Sequence, residues 1–130
     1  MEYGIPREHA AEAVRRVLDV AARARPPVAF PIEVRLAPAD DALLSTAHGR
    51  GSCYVAVHQD RTLDWRPYFQ AVEAVMDSYG GRPHWGKRHF QTAATLAPLY
   101  PCWDEFIAMR QRLDPQGVFA NDYVDRVLGR

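Results

Sequence analysis

The stretch "VAFPIEVRL", residues 28–36, gives the clearest strand signal in this chain and is the starting point for its fold. Apolar residues occupy every second position from Phe30 to Leu36, while Glu33 and Arg35 fill positions between them. Alternation with a period of two places the two kinds of side chain on opposite faces of a strand. The stretch therefore predicts a strand with one apolar and one charged face.

A second strand is predicted at 53–59, "CYVAVHQ", where Tyr54, Ala56 and His58 share one face. Pro31 lies within the first strand and has no backbone N–H to donate, which favours an edge position or a bulge for that strand. With the first strand beside it, the second contributes to a polar sheet face. That face is either solvated or the base of a binding site.

Helical periodicity flanks these strands, and "MEYGIP" at the start reads as a further short strand. The helices are predicted at 6–24, at 64–79 with Gly80 as the stop, near 91–97, at 102–113, and at the end of the chain with Asn121 as N-cap. The order strand, helix, strand, strand, helix is typical of an α+β domain. We expect an antiparallel sheet with helices packed on one face.

Composition excludes several classes of protein. At 130 residues the chain is one domain, and its formal net charge of +0 favours neither nucleic acid nor an anionic membrane as partner. No apolar run approaches the roughly 18 residues of a membrane span, and the N-terminus lacks signal-peptide character. Cys53 and Cys102 have no metal-ligand spacing, so no metal site is predicted, and a reduced, cytoplasmic protein is the expectation.

Glu33 and Arg35 are the first candidates for chemistry. Because they lie two positions apart on a strand, their side chains point the same way from backbone positions about 7 Å apart. A carboxylate beside a guanidinium can accept and donate hydrogen bonds to a polyhydroxylated ligand. The alternative is an ordinary solvated ion pair. His58, on the neighbouring strand, is either part of the same site or structural.

The segment "GGRPHWGKRHF", residues 80–90, is the second candidate. It contains Lys87, the single lysine among 16 lysine and arginine residues. Where only surface charge is needed this chain uses arginine, so a lone lysine suggests a site that requires a compact ammonium; chance retention is the alternative. His84 and Trp85 add a hydrogen-bonding ring and an aromatic face. The segment predicts a binding loop.

Five elements, in order, resemble the aldonolactone and alditol oxidase family of vanillyl-alcohol oxidase-type flavoproteins. These elements are "IEVR" at 32–35, "LLS" at 43–45, "YVAVH" at 54–58, "RPHWGK" at 82–87 and "RLDPQGVFANDYV" at 112–124. The opening "YGIPREHA" is also similar to the family's first strand and helix of the C-terminal domain. The resemblance covers nearly the whole chain.

The resemblance implies a ferredoxin-like substrate, or cap, domain over the isoalloxazine ring of FAD. It implies that Glu33, Arg35 and Lys87 are catalytic and that Ser45 and His58 contact the substrate. It further implies that His84 and Trp85, with Lys87, contact the flavin.

The implied reaction is oxidation of a sugar alcohol or an aldono-1,4-lactone at a CH–OH group. Residues 1–130 form only the C-terminal cap, and the FAD-binding domain is absent, so we expect it to come from a longer chain or in trans and do not expect turnover by the isolated chain. One departure concerns the substrate, because "HQDR" follows His58 where alditol oxidases continue with Phe-Thr. The alternatives are a stand-alone ligand-binding module and a homodimeric remnant.

Overall fold

The computed structural model describes residues 1–129, which form four strands, five α-helices and two 3-10 turns. The strands are β1 (Glu2–Pro6), β2 (Glu33–Ala37), β3 (Ser52–Ala56) and β4 (Arg82–Pro83). The helices are α1 (Ala10–Arg23), α2 (Arg66–Asp77), α3 (Ala93–Leu96), α4 (Trp103–Leu113) and α5 (Asp122–Leu128), and the 3-10 turns are Arg7–His9 and Ala97–Leu99. None of the helices within this part of the chain is long and apolar enough to cross a bilayer.

The strands form one sheet in the order β2-β3-β1-β4, and each neighbouring pair is antiparallel. The prediction of an α+β domain with an antiparallel sheet is therefore confirmed. The edge position expected for this strand is also confirmed, because β2 is an outer strand, although Pro31 itself precedes it. The finer assignment to the ferredoxin-like class stays a prediction.

The main core lies between one face of the sheet and helices α1 and α2. Alternate residues of β1 and β3 point into it, and both helices contribute an apolar stripe. Its fully buried members include Tyr3, Ile5, Cys53, Val55, Ala13, Val17, Val72 and Met76. A second cluster, formed by Leu96, Tyr100, Trp103 and Val127, joins α3, α4 and α5.

The edge strand differs from its prediction at the N-terminal end. It begins at Glu33, so Phe30 and Ile32 precede it. Val34 and Leu36 point to the apolar side of the sheet but remain exposed, because β2 lies at the border that the helices do not cover. Burial on the edge strand is thus set by helix placement, which alternation alone does not reveal.

Two local features also differ from expectation. The segment predicted as a binding loop contains the short strand β4, which pairs with Tyr3 and Gly4 of β1. Two residues give too little periodicity for a strand to be predicted. The second strand, predicted at 53–59, spans Ser52–Ala56 instead, so His58 lies beyond its end.

Candidate functional site

The polar face of the sheet lies opposite the main core. Strand register aligns Glu2, Ala56 and Glu33 in one row and Gly4, Tyr54 and Arg35 in the next. Residues paired directly across antiparallel strands share a face, so both carboxylates and the guanidinium belong to this surface. The predicted placement of Glu33, Arg35 and Tyr54 on one face is therefore correct.

Gly4 determines how the second row packs. A Cβ atom at this position would lie 3.1 Å from the Tyr54 ring, so the absence of a side chain lets the tyrosine lie across β1. The Tyr54 hydroxyl is 2.7 Å from Oγ1 of Thr46, which holds the ring in that direction. An aromatic ring thus covers the sheet beside the charged residues.

Glu2 joins the two cations of the candidate site. Its Oε2 atom accepts hydrogen bonds from Nη2 of Arg35 at 2.6 Å and from Nζ of Lys87 at 2.6 Å. The Glu2 side chain is 2% exposed, whereas those of Arg35 and Lys87 are 58% and 35% exposed. A buried carboxylate without such partners would be strongly unfavourable. The three side chains therefore form one ion cluster with a buried anion at its base.

The ionised form of Glu2 is favoured by its surroundings. Burial acts to raise the pKa of this carboxyl, but the hydrogen bond and charge of Lys87, followed by the charge of Arg35, hold the pKa below its ordinary value. The cluster consequently keeps one negative and two positive charges at neutral pH. Its outer surface is cationic.

A turn after β4 brings Lys87 to this cluster. The His84 amide donates to the Glu2 carbonyl at 2.9 Å, and the Lys87 amide donates to the His84 carbonyl at 3.0 Å. The Gly86 amide donates to Nδ1 of His84 at 3.0 Å, which fixes the imidazole over the turn. Strand pairing and a tight turn, rather than nearness in sequence, place the lysine beside the start of the chain.

Glu33 and His58 form a second, looser pair on the same face. His58 Nε2 lies 4.0 Å from Oε1 of Glu33, and the Glu33 side chain is 54% exposed. Within the described part of the chain, neither residue forms a hydrogen bond or an ion pair with the Glu2 cluster. The Glu33 carboxylate is therefore accessible to a ligand while the Arg35 guanidinium is already anchored.

The remaining predicted residues have different surroundings. The Trp85 ring packs on Tyr100 with centroids 5.3 Å apart, and its Nε1–H donates to the Leu44 carbonyl at 2.9 Å. These contacts make it a fixed wall. The Ser45 hydroxyl donates to Oδ2 of Asp40 at 2.6 Å, so this side chain is used within its own loop. The structure does not bring Ser45 into the ion cluster.

Three openings border the cluster, and one of them is lined by both His58 and Lys87. On one side, a concavity of about 390 Å³ is lined by Glu2, Arg35, Leu36, Ala37, Thr46, Tyr54 and His84. On the other, an open cleft of about 780 Å³ is lined by Trp65, Arg66, Trp85, Gly86, Lys87, Arg88, His89, Phe90, Tyr123 and Arg126. Lys87 contributes to the cleft while its ammonium reaches Glu2. A lysine between these openings can contact ligands that approach from different sides.

The large cleft is basic and aromatic, with no acidic residue among those that line it. The guanidinium carbons of Arg66 and Arg88 lie 5.0 Å and 4.4 Å from the centre of the Trp65 ring. Stacking of this kind holds a guanidinium in a fixed direction. The cleft is suited to anionic or flat ligands.

Sequence reasoning missed Glu2. A glutamate at the second position of a strand gives no local sign that it will be buried, and its two partners lie 33 and 85 residues away. The available signal was alternation along the strand, which places Glu2 on the sheet face opposite to that of the apolar Tyr3. Only the register among β1, β2 and β3 shows that this face also holds Arg35.

Comparison with known proteins gives a consistent result. The sequence profile of the D-arabinono-1,4-lactone oxidase family matches residues 1–127. L-gulono-1,4-lactone dehydrogenase of Mycobacterium tuberculosis is 60% identical over 129 residues, which cover 99% of this chain and 30% of that protein.

Two other relatives are more distant. L-gulonolactone oxidase of Mus musculus is 36% identical over 137 residues, covering 97% of this chain and 30% of that protein. Alditol oxidase of a Streptomyces species is 36% identical over 133 residues, covering 98% of this chain and 31% of that protein. The chain thus spans about 30% of the length of the relatives it matches.

Proposed function

The chain belongs to the D-arabinono-1,4-lactone oxidase family, and from this premise we propose that it is the C-terminal, substrate-side domain of an FAD-dependent oxidoreductase. The proposed reaction is oxidation of a CH–OH group in a sugar alcohol or an aldono-1,4-lactone. The domain acts together with an FAD-binding domain, which is supplied by a longer chain or by a separate partner.

One observation carries this proposal. Glu33, Arg35 and Lys87 come from β2 and from the turn after β4, and all three are partly exposed around one polar sheet face. An exposed carboxylate near two anchored cations combines a proton acceptor with a positively charged surface. Oxidation of an alcohol by hydride transfer requires a proton acceptor, and positive charge beside the hydride acceptor favours it.

The cationic and aromatic side chains of this site fit a flavin. FAD, when bound, supplies the hydride acceptor for the reaction. Lys87 and Arg35 present an ammonium and a guanidinium that stabilise negative charge developing on a neighbouring ring. Trp85 offers a rigid aromatic wall because Leu44 and Tyr100 fix it, and His84 lines the adjacent concavity. These residues form the proposed cofactor side.

The substrate side is assigned to the neighbouring residues of the sheet. Glu33 accepts the proton of the reacting hydroxyl, and Arg35 donates hydrogen bonds to the substrate oxygens with the N–H groups that Glu2 leaves free. His58, 4.0 Å from Glu33, helps to orient that carboxylate. Ser45 has the least support, since its hydroxyl is directed to Asp40.

The proposed setting is the cytoplasm. Cys53 and Cys102 are both free thiols, which suits a reducing compartment. The isolated domain presents only part of the active site, so its own turnover is expected to be negligible. A homodimer is the competing arrangement, and sedimentation velocity across a range of protein concentrations distinguishes the two.

The test is a titration of the purified chain with FAD, followed by flavin fluorescence. Lys87→Ala is compared with Arg112→Ala, which removes a cation on α4 whose described contact is the Met109 sulfur. We expect saturable binding that weakens at least fivefold in Lys87→Ala and is unchanged in Arg112→Ala. Equal binding by both variants would contradict the assignment of Lys87 to the flavin.

A further inference from the structure

A single carboxylate oxygen holds both cations of the candidate site. We propose that Glu2 is a positioning residue: its buried carboxylate fixes the Lys87 ammonium and the Arg35 guanidinium in the arrangement that the proposed reaction uses. This inference rests on the proposed function for its role in catalysis. The geometry itself is independent of that function.

The burial of the three side chains shows which group anchors the others. The Glu2 side chain is 2% exposed, so its carboxylate is almost fully withdrawn from water and depends on its partners. Lys87 and Arg35 are 35% and 58% exposed and could be solvated without Glu2. The flexible, exposed cations are therefore held by a fixed anion.

Backbone contacts make Glu2 a rigid anchor. Glu2 lies within β1, where it pairs with Ala56 of β3. The Glu2 carbonyl also accepts the His84 amide at 2.9 Å, at the start of the turn that carries Lys87. Glu2 consequently fixes the lysine twice: its carbonyl holds the turn and its carboxylate holds the ammonium.

Lys87 and Arg35 both donate to the same oxygen, Oε2 of Glu2. An ammonium and a guanidinium brought this close repel each other, and the shared carboxylate offsets that repulsion. Removing the negative charge should therefore release both side chains toward solvent. Glu33, on the same face but 54% exposed and without contact to Lys87, should have no such effect.

Lys87 can be observed alone because the chain has no other lysine. The first experiment measures the acylation rate of Lys87 by an amine-reactive ester at neutral pH, quantified by mass spectrometry of the peptide that contains it. The α-amino group is quantified separately from the N-terminal peptide. We expect Glu2→Gln to react at least fivefold faster than the wild type.

Two further variants show whether charge position matters. Glu2→Asp keeps the charge on a shorter side chain and should restore part of the protection, while Glu33→Gln should react at the wild-type rate. A general loss of structure would not be rescued by aspartate. Equal rates in folded Glu2→Gln and wild type would overturn the proposal.

If Glu2→Gln does not fold, the wild type provides the test. With isotope-labelled lysine, the two Hε protons of Lys87 should give distinct NMR signals at neutral pH because the ammonium is held. The signals should merge only at a pH below the ordinary titration range of glutamate, since the pKa of Glu2 is lowered. Merged signals at neutral pH would overturn the proposal.

FAD titration of the same samples separates this inference from the proposed function. If Lys87 reacts faster in Glu2→Gln than in the wild type but neither protein binds FAD, the positioning role is supported and the flavin assignment is not. FAD binding with Lys87 equally reactive in Glu2→Gln and wild type would support the function and overturn the role of Glu2.

Discussion

Nε2 of His89 lies 3.0 Å from the hydroxyl oxygen of Tyr123, and this contact ties the segment after Lys87 to helix α5. The Tyr123 hydroxyl donates its own proton to the Trp85 carbonyl, so its oxygen accepts from the histidine. Neutral His89 must then carry its proton on Nε2. Its Nδ1 is buried and has no hydrogen-bond partner among residues 1–129.

This arrangement predicts a pH-dependent stability. Burial, followed by the positive charge of Arg126, lowers the pKa of His89 from 6.5 to about 4. The unfolded chain therefore takes up a proton at higher pH than the folded one, and stability is lost as pH falls from about 6.5 to about 4. The loss attributable to His89 is at most about 3 kcal/mol.

Urea unfolding at several pH values between 7 and 4 measures this effect. Asp77 acts in the opposite direction over this range, because burial and the charge of Glu73 raise its pKa to about 6. The contribution of His89 is therefore read as the difference between wild type and His89→Gln, with the exposed His9→Gln as control. Parallel pH profiles for wild type and His89→Gln would contradict the prediction.

Gly81 and Gly86 lie in the same segment, and we expect opposite tolerance to alanine. A Cβ at Gly81 would lie 2.8 Å from the Met76 carbonyl oxygen, which is backbone at the end of α2 and cannot move aside. A Cβ at Gly86 would meet the His84 ring at 3.4 Å, an ordinary contact. Gly81→Ala should lower the free energy of unfolding by roughly 1–3 kcal/mol, and Gly86→Ala should leave it nearly unchanged.

Chemical denaturation of the two variants checks this pair. Each serves as the control for the other because both change glycine to alanine within six residues. If both variants had wild-type stability, the packing of Gly81 against α2 would be wrong.

Local patterns predicted most of the fold because they depend on near neighbours. Asn121 was expected to cap the last helix, and its side chain does accept the Val124 amide at 3.0 Å. Capping, turns and amphipathic stripes are determined within a few residues. Strand β4 was missed because two residues carry no periodic signal.

The site was predicted only in part, since half of it depends on strand register. Two positions on one strand suffice to place Glu33 and Arg35 on a common face. The contact between Glu2 and Lys87 requires the pairing of β1 with β4 and the turn that follows, which connect residues 85 apart. No local pattern contains that information.

Glu33 should affect catalysis without affecting stability. Its side chain is exposed and its described partner, His58, is 4.0 Å away, so Glu33→Gln should change the free energy of unfolding by less than about 0.5 kcal/mol. If Glu33 accepts the substrate proton, Glu33→Gln should lower the turnover of an enzyme that contains this domain by roughly 100-fold.

A hybrid enzyme makes this measurement possible. The chain replaces the matched part of the Streptomyces alditol oxidase, and turnover of sugar alcohols is compared for wild type, Glu33→Gln and Glu12→Gln. Glu12 is an exposed residue of α1 on the far side of the core and should have no effect. Full turnover by the Glu33→Gln hybrid would remove Glu33 from the mechanism.

Asp114 holds an exposed apolar loop in a fixed shape. Its carboxylate accepts the Val118 amide at 2.8 Å and the Phe119 amide at 2.9 Å, and these hydrogen bonds lower its pKa. Phe119 is nevertheless 81% exposed. An ordered loop that presents a phenylalanine to solvent suits contact with another domain, in agreement with the proposed FAD-binding partner.

Limited proteolysis with chymotrypsin tests this loop. Proteases cleave chains that can locally unfold, so Phe119 should be cut slowly in the wild type despite its exposure. Asp114→Ala frees both amides and should speed cleavage at Phe119 several-fold, while Asp104→Ala, on the first turn of α4, should not. Rapid cleavage of the wild type at Phe119 would show that the loop is not held by Asp114. In that case the phenylalanine would not be a preformed contact for a partner domain.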